Sequence, residues 1–155
     1  MSTDWFTCTA STEYDGNYGC EKVYDLNAAG AGPGWATRSQ GEGAWIKIQF
    51  PQYVQLSRVE IRHRSGNSPG ESFKDITLSF SDGTNQSAIL QDGTDPEWNV
   101  ITMTSLVKTH SVKILANSVH ASTLNPGFSE IRFSGCPGMS NRLLKCYKKP
   151  WSQYI

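Results

Sequence analysis

The sequence predicts an all-β protein, a sandwich or barrel of seven or eight strands, on three observations. Apolar and polar residues alternate with a period of two in run after run along the chain. Turn-forming residues such as Ser81-Asp-Gly-Thr84 and Asp92-Gly93 recur between the runs. No window of a dozen residues carries a helical apolar stripe. Folds of this kind place their function in the loops.

Taken in order, Cys8 opens the first strand region. In Gly43-Ala-Trp-Ile-Lys-Ile-Gln-Phe50, Ile46, Ile48 and Phe50 alternate with Trp45, Lys47 and Gln49. Leu56 to His63 follows, with Val59, Ile61 and His63 on one face, although its start is irregular. Ile76, Leu78 and Phe80 mark the strand Asp75-Ile-Thr-Leu-Ser-Phe-Ser81, and Ala88-Ile-Leu90 is a short one. Trp98 to Met103 and Ser111-Val-Lys-Ile-Leu-Ala116 are two further strands. Gly127-Phe-Ser-Glu-Ile-Arg-Phe-Ser-Gly135 closes the set, with Ile131 and Phe133 set against Glu130, Arg132 and Ser134. Trp35 and Trp45 each start or flank a strand and read as core anchors, and Trp98 is unassigned.

Composition narrows the class of function. A chain of 155 residues can bury roughly two thirds of its unfolded surface, enough for one self-sufficient core. Its 14 basic and 14 acidic residues cancel, leaving no global field to draw in nucleic acid or an acidic membrane. No apolar run approaches the roughly 20 residues needed to span a bilayer, so no transmembrane segment is expected. Met1-Ser-Thr-Asp-Trp5 has no charged-then-apolar leader, which makes the chain cytoplasmic unless an export signal precedes it, when it is secreted or held at the cell surface. Cysteines at 8, 20, 136 and 146 fit no zinc spacing. With the termini side by side, Cys8 and Cys136 are placed to bond; in a reducing compartment all four are free thiols. Asn85-Gln-Ser87 is a glycosylation sequon in a predicted turn.

Six segments in order resemble the discoidin family, the galactose-binding-like jelly roll also called the coagulation factor 5/8 type C domain. That family includes the family 32 carbohydrate-binding modules. The segments are Ala10-Ser-Thr-Glu-Tyr14, Cys20-Glu-Lys-Val-Tyr-Asp25, Trp35-Ala-Thr37, Trp45-Ile-Lys-Ile48, then Val59-Glu-Ile61 with Arg64, Lys74-Asp-Ile76 and Ser81-Asp-Gly83, and lastly Glu130-Ile-Arg-Phe-Ser-Gly135. The resemblance spans residues 8 to about 136. It implies a single jelly-roll sandwich over residues 1–138, with a separate tail over 139–155. It also implies a binding module rather than an enzyme. The residues agree with that: there is no Gly-x-Ser-x-Gly elbow, His-Glu-x-x-His or phosphate loop, and His63, His110 and His120 have no readable acid or base partner.

The loop Arg62 to Phe73 is the leading ligand candidate. Arg64, Asn67 and Glu71 can exchange hydrogen bonds with vicinal hydroxyls, and in the carbohydrate-binding relatives an Arg and a nearby Asn hold such groups. In the structural alternative Arg64 pairs with Glu71, Phe73 enters the core, and His63 is structural. The sugar-binding pattern Trp-His-Thr is here Trp35-Ala36-Thr37, so galactose specificity does not carry over; Arg38 offers a different donor. Ala121-Ser-Thr-Leu-Asn-Pro126 lacks an aromatic stacking residue. The resemblance further implies a structural calcium held by Asp25, Asn27, carbonyls of the Gly-rich loop and Glu130, although Pro33 stands where relatives have Thr. The expected partner is a glycan or glycoprotein, bound without catalysis as in cell-adhesion lectins. The alternative is an intracellular protein-interaction module of the same fold. The basic, aromatic segment Arg142-Leu-Leu-Lys-Cys-Tyr-Lys-Lys-Pro-Trp151 is a candidate contact for a protein partner.

Overall fold

A computed structural model describes residues 6–24, 34–64, 72–92, 98–121 and 125–137. The described residues form seven strands and one short 3-10 helix: β1 (Thr7–Ala10), the 3-10 helix (Cys20–Tyr24), β2 (Trp35–Ala36), β3 (Trp45–His63), β4 (Asp75–Phe80), β5 (Asn85–Ile89), β6 (Asn99–Ala116) and β7 (Gly127–Pro137). Every pairing is antiparallel, and the strand order is β2-β7-β3-β6-β4-β5, with β1 added beside β3. Among the described residues no helix is long and apolar enough to cross a membrane.

Two long strands turn this single sheet into two layers. The first part of β3 pairs with β1 and with the end of β6, which also carries β4 and β5. The second part pairs with the start of β6 and with β7, which carries β2. The sequence therefore places strands at 43–50 and 56–63, and at 98–103 and 111–116, that are the two halves of continuous strands. The cause is local. Pro51 has no N–H to give the ladder, and the β3–β6 register is broken between Gln49 and Val54. On β6 the corner is held by Thr109, fully buried, whose hydroxyl bonds the Ser111 carbonyl at 2.6 Å and accepts the Ser81 N–H at 3.0 Å. Both ends of the folded ribbon thus reach one pole of the sandwich, while Phe50–Tyr53, Thr109 and the Ser81–Thr84 turn lie at the other.

The alternating residues fill the space between the layers. Ile46, Ile48, Ile76, Leu78, Val112 and Ile114 meet Leu56, Val59, Ile61, Ile131 and Phe133, all essentially inaccessible to water. Each such side chain contributes roughly 1.5–3 kcal/mol on burial. Phe50 and Phe133 join the layers edge to face at 5.1 Å. Under the upper pole, Trp35, Phe73 and Phe128 form a mutual cluster with centroids 5.1–5.9 Å apart. Trp35 and Phe73 are core residues as expected from the sequence, and so is His63. Trp45 is not: it precedes Ile46 by one position, so the period of two turns it outward, where Lys113 lies 4.7 Å over its ring.

The cysteines also differ from expectation. Cys8 bonds Cys20, with Cα atoms 6.0 Å apart, and Cys136 is itself disulfide-bonded, so neither the Cys8–Cys136 bridge nor the set of free thiols is realised. The reason is register: Cys8 sits opposite Ile48 on one layer, whereas Cys136 sits opposite Gln55 on the other.

Candidate functional site

The polar residues that converge do so at the upper pole, on loops fixed by backbone contacts. The indole N–H of Trp35 donates to the Thr12 carbonyl at 2.9 Å, and Tyr14 N–H to the Ala36 carbonyl at 2.8 Å. These bonds fold the Ser11–Gly19 loop back over β2. Cys8–Cys20 then closes the same loop covalently, and Glu13 accepts the Cys20 N–H at 2.8 Å. β2 can lie this close to β7 because Gly127 has no side chain; a Cβ there would stand 1.9 Å from the Trp35 carbonyl oxygen. Thr37 adds two bonds to the Pro126 carbonyl, both at 3.0 Å.

On this base Tyr14, Tyr18, Ala36, Arg64 and Asn125 line a shallow pocket of about 180 Å³. The Arg64 guanidinium lies 4.8 Å over the Tyr18 ring, and its Nη1 donates to the Asn125 carbonyl at 3.2 Å. Tyr14 stands edge-on to Tyr18 at 5.6 Å and is 44% exposed, which leaves ring surface open to a ligand. Asn125 also ties down the facing loop: its side-chain oxygen accepts the N–H of Ser39, a non-glycine residue held at a positive φ of 53°. A planar cation, two phenols and an amide thus surround the small wall left by Ala36. This set can donate to and accept from hydroxyls and cover an apolar ring face.

Arg64, the first residue expected at the site, is in it. Arg38 lies behind it: its Nε donates to the Tyr14 carbonyl at 2.9 Å, and Nη2 bonds the same oxygen, so it braces the loop that presents Tyr14. Asn67, Glu71, Asp25 and Asn27 fall outside the described residues, as does the tail from 139. Tyr14, Tyr18 and Asn125 were not among the sequence candidates. Tyr14 ends the Ala10-Ser-Thr-Glu-Tyr14 segment and Tyr18 follows one turn later, and an aromatic pair in a Gly- and Asn-containing loop was the available signal.

Glu130 sits on β7, 4% exposed. Its Oε1 accepts from Arg132 Nε at 2.9 Å, while Oε2 is buried with no hydrogen-bonding partner. The Arg132 guanidinium in turn covers the Trp98 ring at 4.1 Å. Among the described residues, Cys8, Cys20 and Glu21 form the one group of potential metal ligands close together, and the disulfide consumes two of them.

His63 ends β3, one residue before Arg64, with its ring 5.9 Å from Phe128. Burial pushes its pKa from the ordinary 6.5 down to about 4. The backbone at Gln91 and Gly127 and the Asp92 carboxylate oppose that shift weakly, and His120 adds to it. Neither ring nitrogen makes a well-formed hydrogen bond.

Because Tyr14 and Tyr18 lie inside the loop that the disulfide closes, reduction is expected to act on stability and on the pocket together. With the cysteines 12 residues apart, Cys8→Ser with Cys20→Ser should cost on the order of 3 kcal/mol. Chemical denaturation of the variant measures this, and any ligand of the pocket should bind several-fold more weakly to it.

The fold is that of the galactose-binding-like jelly rolls. By sequence the chain belongs to the family described as a domain of unknown function, DUF7402, which matches residues 4–134. No curated protein matches it significantly. Among solved structures it is similar to the family 32 module of Clostridium perfringens NanJ in complex with galactose, with a TM-score of 0.63 at 15% identity over 83% of this chain and 92% of that one. A fucose-binding module of Streptococcus pneumoniae gives a TM-score of 0.62 at 18% identity over 82% and 91%. The fucolectin of striped bass (Morone saxatilis) serum gives 0.65 at 17% identity over 84% and 46%. These likenesses are of fold: neighbours of this chain are carbohydrate-binding modules and a lectin.

Proposed function

We propose that this domain is a non-catalytic carbohydrate-binding module that takes one sugar ring of a glycan or glycoprotein into the Arg64 pocket. The observation that carries the reading is Arg64 itself, stacked on Tyr18 and fixed by the Asn125 carbonyl at the loop pole. A guanidinium held on one face presents its N–H groups in a plane, the geometry that vicinal hydroxyls require. Tyr14 supplies the surface for the C–H face of the ring. At about 180 Å³ the pocket is below the roughly 300 Å³ of sites that enclose drug-sized ligands, which suits a single ring held from one side. Ala36 offers no hydrogen bond where sugar-binding relatives carry His, so the bound sugar is held differently from galactose in those proteins. Asn67 and Glu71, which follow Arg64 in the sequence, would add further contacts to the sugar. Arg38 acts as a positioning residue.

Calcium belongs to the same reading. The buried, unpartnered Oε2 of Glu130 is what a cation would satisfy, with Asp25, Asn27 and loop carbonyls completing the oxygen set. Bound calcium would brace the Gly-rich loop and add no chemistry of its own. Saturating calcium, at about 100 times its Kd, is expected to raise stability by about 2.7 kcal/mol. Thermal unfolding with calcium and with chelator checks this. Glu130→Gln should abolish the difference, and identical curves for the unmutated domain would count against the metal.

The intracellular interaction module sits poorly with a Cys8–Cys20 disulfide, since such bonds persist in oxidising surroundings. Backbone amide shifts during titration with a bound sugar test the location of the site. Changes centred on Tyr14, Tyr18, Arg64 and Asn125 support the pocket; changes centred on β5 and β6 would place binding elsewhere.

A further inference from the structure

The sequon Asn85-Gln-Ser87 plays no part in the pocket. It does not lie in the turn expected from the sequence but opens β5 directly after the Ser81–Thr84 turn, which is set by Gly83 at a φ of 88° and by Asp82 accepting from both the backbone and the hydroxyl of Thr84. Residues two apart on a strand share a face, so the Asn85 amide and the Ser87 hydroxyl stand together, and both residues are exposed. Among the described residues nothing hydrogen-bonds either side chain. Asn85 pairs with Ser79, at the pole opposite Arg64, so a large group attached there would leave the pocket open.

A second, independent observation concerns the strand itself. β5 ends the strand order, and among the described residues no strand pairs with its far edge. Edge strands are usually guarded by charge, proline, a bulge or sheer shortness. β2, at the other end of the order, has only two residues. Asn85–Ile89 has five, with no charge or proline, and its ladder to β4 runs without a bulge. Ile89 is 75% exposed, and with Val100, 52% exposed, it flanks an open groove of about 360 Å³ between β5 and β6 that no charged residue lines. Such an edge is a template for strand pairing unless something covers it.

The Cys8–Cys20 disulfide belongs to an oxidising environment, and the secretory route, where sequons are modified, is one such environment. We infer that Asn85 is an N-glycan acceptor and that its glycan shields the open edge of β5. Nδ2 of Asn85 attacks the anomeric carbon of a polyprenyl-diphosphate-linked oligosaccharide. One C–N bond forms and one C–O bond breaks; the lipid diphosphate leaves with the electron pair and the amide loses one proton. Nothing is oxidised or reduced.

The test is to secrete the chain from a eukaryotic host behind a cleavable leader and to measure intact mass before and after peptide N-glycosidase. An enzyme-removable glycan is expected, absent from Asn85→Gln and from Ser87→Ala and retained in Ser87→Thr. Sedimentation velocity should then find several-fold stronger self-association in the two unglycosylated variants, either of which suffices if the other does not fold. Secreted, disulfide-bonded protein with unmodified Asn85 overturns the inference. A glycan whose loss leaves self-association unchanged overturns the shielding.

Discussion

Arg64→Ala should weaken sugar binding on the order of 10- to 100-fold, the loss that corresponds to charge-assisted hydrogen bonds worth about 1.5–3 kcal/mol. Arg64 contributes twice. It offers planar donors to hydroxyls, and by lying 4.8 Å over Tyr18 it orients that ring. The alanine variant loses both, and the Asn125 carbonyl loses a donor. Lysine retains the charge but cannot reproduce the fork or the stacking, so Arg64→Lys should recover only part of the affinity. Isothermal titration on the three proteins reads the order directly. Stability should change little, because Arg64 lies at the end of β3 in a surface pocket rather than in the core. Equal affinity in all three proteins would remove Arg64 from the site.

Acidification is expected to cost the folded state about 3 kcal/mol through His63 alone. The folded pKa is about 4 against an ordinary 6.5, so between these values the unfolded chain holds a proton that the folded chain excludes. Stability from this group is therefore complete above pH 6.5, falls as pH drops from 6.5 to 4, and changes no further below that. Each unit in the window is worth about 1.4 kcal/mol. The physical cause is desolvation: an imidazolium beside Phe128, 3% exposed, has no well-placed acceptor. Urea unfolding at steps between pH 4 and 7.5 gives the slope for the unmutated domain and for His63→Leu. Carboxylates titrate in both proteins, so the difference isolates the imidazole. The leucine variant should lose less stability on acidification, and parallel profiles would contradict the assignment. Because His63 directly precedes Arg64 at the end of β3, affinity for sugar should decline in the same window.

The strands were legible because burial on one face of a strand imposes a period of two, and Ile46, Ile48, Ile76, Leu78, Ile131 and Phe133 obey it. The continuity of β3 was not. Pro51 reads as a breaker, and the strand resumes because β6 and β7 supply partners beyond the corner. Trp45 shows the same limit in reverse: its place at the start of a strand suggested a core anchor, while its position in the alternation already placed it outside. Within the pocket, Arg64 could be located because it adjoins a strand with readable register. Tyr14 and Tyr18 sit in a loop with no periodicity. They reach Arg64 only through long-range contacts, the Trp35–Thr12 hydrogen bond and the Cys8–Cys20 bridge, that no local pattern encodes. Pairing of Cys8 with Cys20 rather than Cys136 likewise depends on which layer each strand joins.

The most direct measurement is a glycan array probed with the intact, disulfide-bonded protein and with Tyr18→Ala and Arg64→Ala, each in calcium and in chelator. Binding of the unmutated domain to a defined set of glycans, lost in both variants and reduced by chelator, is the expected result. Binding to no glycan in either buffer, or binding that survives both substitutions, would contradict a sugar site at Arg64.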